Sequence, residues 1–184
     1  MNTSRILVAA LLVCATGSAP MAQDTATSEQ PSASLKQSSA SLKEFVDKAG
    51  TSGLAEVEMG KLGAQKAKSG QVEAFAKRMV ADHTKANQEL QTAIKGKGVQ
   101  VPASRTDLHK AMMDKFQQQD AGKSFDRAYM AQMVEDHKAA VELFESAADD
   151  DGLDMDVRAY AKRTLPALRD HLQQAQKIQS KLAD

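Results

Sequence analysis

Three of the four histidines in this chain directly follow an aspartate: Asp82-His83 in "RMVADHTKA", Asp136-His137 in "AQMVEDHKAA" and Asp170-His171 in "LRDHLQQ". Met79 and Met133 stand four residues before the first two, a spacing that stacks thioether and imidazole on one helix face. Imidazoles ligate first-row transition metals, and nearby thioethers favour copper(I). Everything turns on whether these imidazoles share one interior, and that depends on the elements that carry them.

Ala, Leu, Met, Lys, Glu and Gln dominate the 184 residues, aromatics are scarce and Trp is absent, a composition suited to packed helices. Periodicity predicts an all-α chain with helices at about 43–68, 71–97, 104–119, 122–149 and 154–182. Ser69-Gly70 and the "DDDGLD" run are short breaks, so each joins an antiparallel hairpin. The connection between the hairpins, opening with "GKGVQVPAS", is long enough to be a crossover with its own short helix. Two hairpins joined in this way predict a ferritin-like antiparallel four-helix bundle over 43–182.

At about 100° per residue, His83 falls in the stripe of Val72, Phe75, Met79 and Leu90, and His137 in that of Met130, Met133, Val141 and Phe144. His171 lies about 40° from the centre of the stripe of Val157, Tyr160, Leu168 and Ala175. On the first helix Glu56 and Glu58 are about 200° apart and cannot both face inward. Glu56 shares the stripe of Phe45, Ala49 and Met59 and is the better inward candidate. Hairpin register agrees: the midpoint of 56 and 83 is 69.5, inside Ser69-Gly70, and that of 137 and 171 is 154, inside the acidic turn. One carboxylate and three imidazoles thus reach a common level, the chemistry of a single transition-metal ion such as zinc, copper, iron or manganese. Asp82, Met79 and Met133 are second-rank ligand candidates, and His109, in the crossover, reads as a surface residue.

The first 22 residues carry Arg5, an apolar run from Ile6 to Ala15 and small residues up to Ala22, the pattern of a cleaved secretory signal. Its apolar run is too short for a permanent span, and "LLVC" fits a lipidation signal poorly because Val13 occupies a small-residue position. Cleavage would remove Cys14, the only cysteine. Residues 23–42 are poor in large apolar side chains and read as a disordered tether. With 24 basic and 24 acidic residues and no basic block, nothing attracts nucleic acid, and no integral membrane span is expected.

The blocks "GLAEVEMGKLGAQKA", "VEAFAKRMVADHTKANQEL", "FDRAYMAQMVEDHKAAVELF" and "AYAKRTLPALRDHLQQAQ" resemble the exported bacterial proteins grouped as domain of unknown function 4142, often labelled outer-membrane proteins. The resemblance covers about residues 43–180. It implies a ferritin-like bundle, carries Glu56, Asp82, His83, His137 and His171 as motif positions, and implies no established activity. Ferritin-type di-iron sites use paired Glu-x-x-His motifs, which this chain lacks, so oxygenase or ferroxidase chemistry is disfavoured. Three readings follow: a non-catalytic periplasmic metal-binding bundle, with a role in envelope stress suggested by compartment and family; a metal-free structural or interaction module with a buried Glu-His network; and, less favoured, a mononuclear metal enzyme, for which the sequence marks no catalytic residue.

Overall fold

The computed structural model describes residues 30–104 and 106–183, with side chains from Ser38 onward. The expected signal segment, Cys14 and residues 23–29 lie outside the described residues. Among the described residues there are five helices and no strand: α1 Gln30–Lys66, α2 Gly70–Ala93, α3 Asp107–Gln118, α4 Lys123–Asp149 and α5 Met155–Ala183. The helix order follows the hydrophobic periodicity, but α1 starts at Gln30, within the stretch expected to be a tether. Leu42, Phe45 and Val46 are buried and anchor this part of α1. Extending a formed helix through Ser, Ala, Gln and Lys adds one backbone bond per residue fixed, so weak apolarity alone does not end it. Helix α5 likewise runs unbroken through Pro166.

The four long helices pack as two hairpins, α1 with α2 and α4 with α5, while α2 also meets α5 and α1 meets α4. This packing is compatible with a four-helix bundle. The apolar core falls into two clusters. One gathers Phe45, Leu90, Phe144, Val157, Tyr160 and Leu168, and the other Met59, Phe75, Met79, Tyr129, Met133 and Ala175. Each long helix contributes to both clusters, and their order along each chain segment makes α2 run parallel to α4 and antiparallel to α1 and α5.

Polar ties fix the hairpins end to end. Asp126 of α4 is 1% exposed and its carboxylate accepts the backbone N–H of Lys68 and, at 2.7 Å, of Ser69, which stand at the α1–α2 turn. At the other end Lys97, just beyond α2, reaches Asp154 in the α4–α5 turn at 2.7 Å and Asp156 in the first turn of α5 at 3.0 Å. Between them α1 and α2 approach closely: a Cβ added at Gly63 would lie 2.6 Å from the Tyr129 ring and 2.9 Å from Ala76 Cβ.

The crossover helix α3 packs against α1. Met113 and Phe116 on its inner face are buried, whereas Leu108 in its first turn is 78% exposed. Lys66 closes its far end by donating to the carbonyl oxygens of Phe116, Gln117 and Gln119. With so small a buried face, α3 is held by its neighbours rather than by its own propensity.

Two outcomes follow. Gly63→Ala should destabilise the protein by about 1–3 kcal/mol, the cost of forcing a methyl into a filled core, read as a lowered urea midpoint at unchanged slope; an unaltered midpoint would contradict the close approach. In native-state hydrogen exchange, amides of α3 should exchange before those buried in α2 and α4, and equal protection would contradict the packing described.

Candidate metal centre

The two apolar clusters are separated by a polar layer. Ala49 and Met59 flank Glu56 on α1, Met79 and Leu90 flank His83 on α2, Val134 and Phe144 flank His137 on α4, and Leu168 and Ala175 flank His171 on α5. All four polar side chains are buried: Glu56 and His83 are 7% exposed, His137 and His171 1%.

The three imidazoles form a nearly equilateral triangle, with ring centroids 5.5 Å apart for His83–His137, 5.6 Å for His83–His171 and 5.3 Å for His137–His171. One ligand-capable nitrogen from each lies within 4.8 Å of the other two, so this set could hold a metal ion. Glu56 is not part of that convergent set.

Hydrogen bonding fixes where lone pairs remain. His137 Nδ1 lies 2.9 Å from the carbonyl oxygen of Met133, an acceptor only, so Nδ1 carries the proton and Nε2 the lone pair. His137 Nε2 faces His83 Nε2 at 3.4 Å. His171 Nε2 lies 2.8 Å from Asp82 Oδ2, to which it donates, leaving Nδ1 with the lone pair and with no hydrogen-bond partner in the interior. Asp82 is itself gripped by Arg78, whose Nε lies 3.0 Å from Oδ2, and Arg78 also reaches Asp170 at 2.7 Å. Two of the three repeated aspartates therefore project to a neighbouring helix, as a 100° offset requires. Asp136 instead accepts from Gln132 on its own helix at 2.9 Å.

Burial sets the charge states. It holds His83 down to about 3, with the His137 and His171 rings adding to the effect, and His137 down to about 4, with His171 adding. Burial also lowers His171, against the opposing bond from Asp82. Burial would raise Asp82, but its bonds from His171 and Arg78 outweigh this and keep it below the ordinary carboxylate value. Glu56 is raised well above its usual value, by burial first and then by the negative charge of Asp136, and its Oε2 has no partner. At neutral pH the layer thus holds neutral imidazoles beside a carboxyl whose charged form burial disfavours.

Met79 and Met133 are fully buried in the cluster directly below this layer. His109, expected at the surface, is partly covered and lines a cavity together with Glu56, Asp82, His83 and His171. Arg78 was not among the residues the sequence marked. Its signal was the i, i+4 spacing to Asp82 in "RMVADH".

A family model described as domain of unknown function (DUF4142) matches residues 26–178, most of the chain. The chain belongs to this family. No curated protein and no solved structure matches it.

Acid should unfold the metal-free protein through these histidines. In the unfolded chain they titrate near 6.5, whereas folded His83 and His137 resist protonation down to about 3 and about 4. Below 6.5 the unfolded state binds protons that the folded state refuses, so stability is greatest above this value and falls as pH drops towards 4. Glu56 acts with the opposite sign, its contribution being lost as pH rises through its raised folded value. Urea midpoints measured in chelator should fall steadily from about pH 7 to about pH 5; a constant midpoint there would contradict the buried neutral imidazoles.

Proposed function

We propose that this protein is a non-catalytic metal-binding bundle that holds one zinc, copper or iron ion between its two hairpins, with His83, His137 and His171 as ligands. The observation that carries the reading is the 3.4 Å approach of the His83 and His137 Nε2 atoms. A tetrahedral ion with bonds of 2.0–2.1 Å spaces its ligand atoms about 3.3–3.4 Å apart, while 3.4 Å is long for a direct hydrogen bond between nitrogens. The partnerless Nδ1 of His171, with Asp82 behind its other nitrogen, has the form of a carboxylate–histidine pair that orients a ligand and raises its basicity. Glu56, which lines the neighbouring cavity from α1, is the fourth candidate, and Asp82 belongs behind the ligands rather than among them. Met79 and Met133 keep the second rank they have in the sequence, as neighbours one turn below.

The helix order and the long crossover support the ferritin-like arrangement. The leader-like first 22 residues support export by a cleaved signal peptide to the periplasm or envelope, where a buffer or sensor of metals in envelope stress is the matching role. The favoured second reading, a metal-free network that fixes helix register, draws on the Asp82–His171 bond and on the Met133 carbonyl that already satisfies His137.

Metal analysis of protein purified without a polyhistidine tag separates the two. One ion per chain is expected in the wild type, reduced at least about tenfold in affinity in His83→Ala, His137→Ala and His171→Ala, and unchanged in Glu58→Gln. Absence of metal, and failure to take up added zinc, copper or iron, would leave only the network.

A further inference from the structure

Beside the imidazole layer lies a cavity of about 550 Å³. Sites for small organic ligands run from about 300 to 1,000 Å³, whereas a water takes up about 30 Å³ of the liquid, so an ion with a bound water would leave most of this space unused. The cavity exists because Ala49, Ser52, Gly53, Ala86, Ala139 and Ala140 line it where larger side chains would fill it. Leu143, Phe144 and Leu168 give it apolar wall, and His83, His171 and Glu56 give it a polar end. Glu56 Oε2 and His171 Nδ1 lack partners although their side chains are at least nine-tenths buried. An ion would take up the lone pair of the second. Glu56 remains, aimed at no protein group.

The lining also restricts the charge of an occupant. Asp82, Asp136 and Glu142 line the cavity against a single lysine, Lys48, which is paired with Glu44 at 2.7 Å. These carboxylates offset the charge an ion would bring, so a small anion gains little there over an uncharged ligand. Metals that accept imidazole ligands accept further nitrogen donors well, while oxygen donors suit harder ions. A ligand that satisfies both ends needs a lone pair for the ion and an N–H for the free carboxyl oxygen.

We propose that this cavity binds a small uncharged azole, whose ring nitrogen takes the fourth position on an ion held by His83, His137 and His171, displacing Glu56 from it, and whose N–H is then received by the Glu56 carboxyl. The inference rests on the metal-binding reading, and the experiment separates the two. The full-length folded protein is loaded with cobalt(II), its metal content is measured, and its visible spectrum is followed while imidazole, azide or acetate is added. Imidazole should shift the spectrum saturably with one equivalent per cobalt and no loss of metal, and azide and acetate should bind at least about tenfold more weakly. Ala140→Leu and Ser52→Leu, which fill the cavity from α4 and α1 without touching the imidazoles, should load cobalt equally and lose the imidazole response. Failure to load cobalt, zinc or copper overturns the metal reading before any azole is added, and this inference with it. Full loading with a spectrum unmoved by imidazole, an undiminished response in both filled variants, anions binding as tightly, or release of cobalt on titration would each overturn the azole site alone.

Discussion

Burying three imidazoles and a carboxyl across the middle of an apolar bundle is the constraint on which the other features depend. A buried polar group left without a partner costs about 1–3 kcal/mol, and here the layer cuts the core into two clusters that cannot merge through it. The layer is tolerable because most of its atoms are answered. The Met133 carbonyl satisfies His137, and Asp82 satisfies His171. Arg78 holds Asp82 and Asp170 together across the α2–α5 contact. Glu56 Oε2 and His171 Nδ1 are left unanswered, and both residues line the cavity. An ion at the imidazole triangle would use the lone pair of His171 Nδ1 and strengthen the tie between the hairpins.

Registering four helices to bring these groups to one level needs the hairpins locked at both ends. Asp126 does this at the α1–α2 turn and Lys97 at the α4–α5 turn, each bridging between hairpins rather than within one. Glycine at position 63 lets Tyr129 of α4 and Ala76 of α2 close on α1 below the layer. Small side chains beside the layer leave volume unfilled, which opens the cavity that His109 and Met112 of α3 also line. Tight packing below and open space beside the layer make a rigid support with one accessible side, which suits a ligand site better than a uniform core does.

Much of this was legible in the residues. His83, His137 and His171 share inward stripes and hairpin register, two independent geometric conditions, and the structure brings a ligand-capable nitrogen of each within 4.8 Å of the other two. Glu56 was identified as buried by the same two conditions, but spacing along a helix fixes neither side-chain rotamer nor depth to an ångström, and its carboxyl stands outside the convergent set. The start of α1 was hidden because Ser- and Gln-rich sequence is compatible with helix or coil, and the tertiary anchor at Leu42 and Phe45 decides. Spacing could not show the cavity, which is an absence of side-chain volume summed over several helices, and for Arg78 it offered the i, i+4 pair with Asp82 but not the bridge to Asp170.

The central claim, that the imidazole layer is a metal layer, is tested most directly by thermal melting of the wild-type protein with excess zinc or copper and then with chelator. Binding to the folded state alone adds RT ln(1 + [L]/Kd), about 2.7 kcal/mol at a free concentration of 100 Kd. This account predicts a melting temperature raised by several degrees with metal, returned by chelator, and insensitive to both when His83 or His137 is replaced by Ala. A wild-type melting curve that neither metal nor chelator moves would contradict it.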